Sequence, residues 1–126
     1  MSKQIIECVP NFSEGRDLAV IEKITNAIKN TDGVTLLDVD PGQATNRTVV
    51  TFVGSPDAVV QGAYNGIQKA AELIDMSKHS GEHARMGATD VCPMIPVSNI
   101  SMEETADYAK KLGKLVGDNL DIPVYL

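Results

Sequence analysis

Two hydrophobic rhythms alternate along this chain, and their order restricts the folds open to it. Short runs rich in Ile, Val and Thr occupy residues 4–9, 34–39, 48–53 and 91–97, each the length of a strand. Between them lie stretches with apolar residues at helical spacing. Leu18, Ile21, Ile24, Ala27 and Ile28 predict a helix that runs to about Asn30, with Gly33 placed to end it. Ser55-Pro56-Asp57 opens another: Ser55 suits the cap, Pro56 the first helical position, and Asp57 the positive end of the helix dipole. That helix is expected to reach about Ile74. Its residues Ala58, Gly62, Gly66 and Ala70 recur every four positions. Each glycine costs about 1 kcal/mol of helix propensity relative to alanine, and close approach of this stripe to a sheet offsets that cost.

The remaining local signals complete the order. Asn11-Phe12-Ser13-Glu14-Gly15 and Asp40-Pro41-Gly42 read as turns. Pro93 and Pro96 push the strand at 91–97 to an edge or a bulge. Ser101-Met102-Glu103-Glu104 is a capping box, and Ala106, Ala109, Leu112 and Val116 form the expected buried stripe of the helix that follows. One more strand is expected over 122–126. The order βαββαβ, then αβ, predicts an α+β fold: a ferredoxin-like βαββαβ core with an additional C-terminal helix and strand, an antiparallel or mixed sheet, and helices on one face.

Composition excludes several functions. The 126 residues carry 11 Lys+Arg against 17 Asp+Glu, a net charge of −6. Neutralising phosphates requires a basic face, so general nucleic-acid binding is not expected. Five aromatic residues, none of them Trp, make base-stacking on a sheet a poor fit. No apolar run approaches the roughly 18 residues needed to span a membrane, and 1–4 leads into a strand without a signal-peptide core. The expected compartment is the cytoplasm. Cys8 and Cys92 sit in apolar runs and are expected to be buried free thiols.

Residues 75–90 break the periodicity, and a polar segment of this length is usually functional or disordered. It holds both histidines, His79 and His83, and Lys78 and Arg85 against Glu82 give it a locally positive balance. Imidazole titrates near neutrality and suits proton transfer, while a positive recess suits a carboxylate-bearing substrate. A solvated connection with surface histidines is the competing reading. His79-Ser80-Gly81-Glu82-His83 also spells the inverted zinc-protease pattern. Zinc would need both histidines on a firm helix and a third protein ligand, and Ser80-Gly81 weakens a helix there. No metal is expected. A second cluster forms at a predicted hairpin. Asp38 and Asp40 lie two apart and share a face, with Asn46 and Arg47 across the turn. Arg47 can grip a carboxylate in a bidentate fork; equally, these polar side chains can simply satisfy the turn.

Longer motifs carry a resemblance. Glu7-Cys8-Val9-Pro10-Asn11-Phe12-Ser13-Glu14-Gly15, Leu37-Asp38-Val39-Asp40, Thr45-Asn46-Arg47-Thr48-Val49 and Thr51-Phe52-Val53-Gly54 resemble the opening of glutamate formiminotransferase, in the formiminotransferase-cyclodeaminase family. Gly81-Glu82-His83-Ala84-Arg85-Met86-Gly87-Ala88, Asp90-Val91-Cys92-Pro93 and Ile122-Pro123-Val124-Tyr125-Leu126 resemble its later segments. The resemblance covers the chain and implies a single domain, residues 1–126, like the N-terminal subdomain of that family, whose second subdomain is not part of this sequence. It implies a ferredoxin-like subdomain and transfer of the formimino group of N-formimino-L-glutamate to N5 of tetrahydrofolate, as in histidine degradation. Tetrahydrofolate is then a co-substrate. The resemblance assigns catalysis to His83. Asp40, Arg47, Arg85 and Lys78 are the expected substrate-binding residues, from charge and position. A homodimer, or pairing with a second formiminotransferase subdomain, is the expected assembly. The alternative expectation is an incomplete or non-catalytic homologue that binds folate or another ligand, or serves in assembly.

Overall fold

The computed structural model describes residues 3–42, 44–74 and 89–120. The strand expected over 122–126 lies outside these residues. Among the described residues six strand segments form one sheet: β1 (Ile5–Cys8), β2 (Asn11–Phe12), β3 (Val34–Gly42), β4 (Arg47–Gly54), β5 (Thr89–Val91) and β6 (Met94–Ser98). The helices are α1 (Leu18–Lys29), α2 (Pro56–Leu73) and α3 (Met102–Leu120). β4 pairs antiparallel with β1 and β2 on one flank and with β3 on the other. β6 then pairs with β1, and β5 with β2, again antiparallel.

The segments β1 and β2 follow one strand line, interrupted at Val9-Pro10; β5 and β6 follow another, interrupted at Cys92-Pro93. With each line counted once, the order across the sheet is fourth, first, third, second. The first strand therefore lies between the third and the last. This is the split βαβ arrangement expected from the element order, and it is compatible with a ferredoxin-like core. The architecture is α+β, with α3 as the additional C-terminal helix.

Proline explains both interruptions, since it has no N–H to give to a ladder. Pro10 still accepts from the Val50 N–H at 3.0 Å, and Pro93 from the Val9 N–H at 3.1 Å. The sheet thus stays connected through the breaks. Because pairing resumes after Pro10, Asn11-Phe12 is strand and not the expected turn, which begins at Ser13. The turn expected at Asp40-Pro41-Gly42 is likewise strand: Pro41 pairs with Thr48 and Gly42 with Arg47. Among the described residues β3 lies at the sheet's edge, where a missing N–H is tolerated. The chain reverses at 44–46, with Asn46 in the left-handed region at φ +53°.

The helix signals are largely as expected. Asp17 caps α1, accepting from the Ala19 and Val20 N–H groups at 3.1 and 3.3 Å. The helix ends at its cap Asn30; Gly33, at φ +84°, serves the turn into β3 instead. Leu18 is exposed because it lies in the first turn, off the buried stripe of Ile21, Ile24, Thr25 and Ile28. Pro56 begins α2, while Ser55 holds an extended cap conformation without a side-chain cap bond. At α3 the capping box closes in both directions: the Ser101 N–H donates to Glu104 Oε1 at 3.1 Å, and the Glu104 N–H to Ser101 Oγ at 3.0 Å. The buried stripe of α3 is Thr105, Leu112 and Val116, with Ala109 half-buried and Ala106 exposed, one position off the expected register.

The core lies between the sheet and the helices. Ile6, Cys8, Phe12, Val50 and Phe52 project from the strands against Ile24, Ile28, Val59, Ala63 and Ile67 of α1 and α2. The small-residue stripe of α2 accounts for the closeness of this packing. A Cβ on Gly62 would come within 3.0 Å of Val34 and 3.2 Å of Phe52 on the sheet. One on Gly66 would meet Ile28 of α1 at 2.8 Å and Phe12 at 3.3 Å. The stripe therefore receives a neighbouring helix as well as the sheet.

Candidate functional site

Strand geometry sorts the polar residues of the sheet. Side chains alternate between faces, and residues paired across strands share one. Ile6, Cys8, Phe12, Thr48, Val50 and Phe52 face the helices and are buried. Their neighbours in sequence face the other way. One cross-strand row on that open face is Thr35, Val53, Glu7 and Ile95. A second is Asp40, Val49 and Asn11. Thr51 pairs with Asp38, and Arg47 lies two residues before Val49 on the same side of β4.

Asp38, Asp40 and Arg47 are therefore brought to one face at one end of the sheet, as their spacing predicts. The register shift between Leu36 and Asp38 contributes to this. An extra residue there leaves Leu37 exposed while Leu36 and Val39 stay against the core. Asn11 joins the group as a residue not anticipated, because 11–15 read as a turn. Counting by twos from Glu7 through Val9 would have placed it on this face.

The end of the sheet that carries these groups is rigidly built. Asn46 Oδ1 accepts the Gly15 N–H at 2.9 Å. Thr48 Oγ1, buried, donates to the Glu14 carbonyl. A Cβ on Gly15 would collide with the Gly42 carbonyl oxygen and with the Arg47 amide nitrogen and carbonyl oxygen. Only glycine lets the segment after β2 lie against the β3–β4 hairpin this closely. Glu14 Oε2 accepts the Arg16 and Asp17 N–H groups at 3.1 Å each, which ties this segment to the start of α1. Arg47 thus extends from a backbone held on both sides, which favours precise presentation of its guanidinium.

Chemically, the face offers a guanidinium, two carboxylates and an amide beside an aliphatic floor of Val49, Thr51 and Val53, half-buried. Such a surface can hold a carboxylate through Arg47, accept from N–H donors at Asp38 and Asp40, and receive a flat ring over the valines. The other expected site residues, Lys78, His83 and Arg85, lie outside the described residues, as does the His79–His83 pattern. Among the described residues, no cluster of three His, Cys, Asp or Glu could hold a metal ion. No helix among them is long and apolar enough to cross a membrane.

Comparison with known proteins matches residues 5–126 to the formiminotransferase domain, N-terminal subdomain. The formimidoyltransferase-cyclodeaminase of Dictyostelium discoideum is 56% identical over 123 residues, which is 98% of this chain and 23% of that protein. The glutamate formimidoyltransferase of Thermoplasma acidophilum is 49% identical over 97% of this chain and 40% of its own length. That of Streptococcus pyogenes serotype M1 is 43% identical over 98% and 41%. The chain therefore spans between about a quarter and two-fifths of the length of these relatives. With a match over nearly its whole length, the chain belongs to the family of formiminotransferase N-terminal subdomains.

Proposed function

We propose that this chain supplies the N-terminal, histidine-bearing part of a folate-dependent glutamate formiminotransferase. The reaction passes the formimino group of N-formimino-L-glutamate to N5 of tetrahydrofolate. The observation that carries the reading is the family match over 5–126, together with relatives named glutamate formimidoyltransferase at 49% and 43% identity. The open face adds chemical support. Both substrates carry glutamate carboxylates, for which Arg47 is a suitable grip, with Lys78 and Arg85 as further cations. The pterin ring presents N–H donors and a flat surface, which suit Asp38, Asp40 and the valine floor.

In this reading His83 is the general base and then the general acid. N5 attacks the formimino carbon, and His83 takes the proton that N5 loses. The tetrahedral intermediate collapses with cleavage of the bond from that carbon to the glutamate nitrogen, and the imidazolium returns its proton to that nitrogen. The products are 5-formiminotetrahydrofolate and glutamate, with no net proton change. Asp40 is proposed to orient the ring and stabilise its charged form. The enzyme is proposed to act in the cytoplasm, with a second formiminotransferase subdomain or a second copy completing the folate site. The alternative reading is a folate-binding or assembly module that is silent by itself.

A turnover assay with formiminoglutamate and tetrahydrofolate tests these readings. It is run with the chain alone and with the chain mixed with a polypeptide corresponding to the remainder of the Thermoplasma relative. Activity in either arm, lowered about 10²–10⁴-fold by His83→Ala, is the expected result. Undiminished turnover in that variant would remove His83 from the mechanism. Folate binding without turnover in both arms would leave the module reading in its place.

A further inference from the structure

The two cysteines of the chain, 84 positions apart in sequence, meet in the fold. Cys8 Sγ and Cys92 Sγ are 3.4 Å apart. Cys8 ends β1 just before the Val9-Pro10 interruption, and Cys92 lies in the gap between β5 and β6, just before Pro93. The two proline breaks thus lie side by side, held by the Val9 N–H bond to the Pro93 carbonyl, with a thiol on each strand line. Cys8 is fully buried, whereas Cys92 is half-buried.

We propose that Cys8 and Cys92 form a redox-sensitive dithiol, a modification site that closes to a disulfide by exchange with oxidised low-molecular-weight disulfides and reopens with the corresponding thiols. Exposure sets the order of events. The Cys92 thiolate attacks one sulfur of oxidised glutathione, breaking its S–S bond and releasing one glutathione thiolate. The Cys8 sulfur, losing its proton, then attacks Cys92 Sγ and displaces the second glutathione. Two protein thiols are oxidised, one glutathione disulfide is reduced to two thiols, and both protons end on glutathione.

The geometry suits this step. An S–S bond is about 2.0 Å long, so two flexible side chains must together close about 1.4 Å. The hydrogen bond that the Cys8 S–H donates to Cys92, followed by burial, holds the Cys8 thiol well above the ordinary thiol range. Conversion of Cys92 to a mixed disulfide removes the charge repulsion that a thiolate at 92 would add. Cys8 lies directly opposite Met94, so the two cysteines are two positions out of register along the strands, and excess thiol reopens the bond by the same exchange run in reverse.

The test uses the full chain, reduced and then equilibrated in buffers of increasing oxidised-to-reduced glutathione ratio, quenched with acid. Thiols are counted in denaturant and the intact mass is measured. The expected result is a fall from two thiols to none, a chain lighter by two hydrogens, no chain-to-chain dimer, and full recovery with dithiothreitol. Cys8→Ser should stop at one glutathione adduct on Cys92. In Cys92→Ser the buried Cys8 should stay unmodified while the protein is folded. Wild-type protein that keeps both thiols, accumulates a stable glutathione adduct or forms linked dimers would overturn the proposal, and this measurement depends on no variant.

Discussion

The two faces of the sheet come from alternate residues of the same strands, yet they have opposite characters. On the helix side, Ile6, Cys8, Phe12, Val50 and Phe52 are at most 1% exposed. On the other side, Ile5, Glu7, Asn11, Val49, Thr51 and Val53 are half-buried, and the outer strands expose Leu37, Ile95 and Val97 at 56%, 44% and 54%. One face is chosen by volume and the other by chemistry. A one-residue slip would exchange them, so the close packing on the first face fixes the register that aligns Asp38, Asp40 and Arg47 on the second. The helix-covered face thereby positions a candidate site that it never touches.

If that division is right, the largest losses of stability come from the covered face. Phe52→Ala removes a fully buried ring packed between the sheet and α2 and should cost about 3–5 kcal/mol, a large part of the stability of a domain this size. Urea unfolding monitored by circular dichroism measures it, and a cost below about 1 kcal/mol would mean that the core is elsewhere. Gly66→Val tests the same face by adding volume. Its new atoms enter space held by Ile28 and Phe12, and overpacking of this kind costs about 1–3 kcal/mol even though valine is the better helix former. Unchanged stability would show that α1 and α2 can separate freely.

These expectations bear on what the residues alone revealed. Periodicity showed the order of elements, the small-residue stripe and the capping box, because each depends on neighbours within a few positions. Two features escaped because they depend on distant parts of the chain. Asp40-Pro41-Gly42 has the local chemistry of a turn; only the edge position of β3 makes Pro41 acceptable in a ladder. Asn11-Phe12 is strand only because β4 and β5 lie on either side of it. The same limit applied to the site. Asp38, Asp40 and Arg47 could be grouped from a hairpin and a two-residue period, whereas Asn11 arrives from another strand line. The contact between Gly15 and the hairpin is a tertiary approach with no local signature.

Substitutions on the open face should separate stability from function. Leu37→Thr, Ile95→Thr and Val97→Thr, and likewise Arg47→Gln and Asp40→Asn, should each change stability by no more than about 0.5 kcal/mol. Arg47→Gln should nevertheless raise KM for formiminoglutamate or tetrahydrofolate in the mixed assay about tenfold or more, as expected for a lost charge-assisted hydrogen bond worth roughly 1.5–3 kcal/mol. Equal KM values for wild type and variant would take Arg47 out of the site. A large stability loss in the threonine variants would mean that this face is already covered in the isolated chain.

A pH-dependent effect concerns the ionisable group on the covered face of β1. Its bond with Cys92 and its burial raise the Cys8 thiol well above the ordinary value of 9.0. The native state therefore keeps this proton at pH values where the unfolded chain releases it. The contribution to stability is complete below the unfolded thiol's pKa and is lost as pH rises from there toward the native value. The slope from this single group is at most about 1.36 kcal/mol per pH unit. In reducing buffer, the stability difference between wild type and Cys8→Ala should be constant from pH 6 to about 8 and should shrink steadily above about 9. Unfolding curves that stay parallel to pH 10 would show that Cys8 ionises alike in both states. The thiol would then not be enclosed as the covered face requires, and the contrast between the two faces would fail at the strand where they meet most closely.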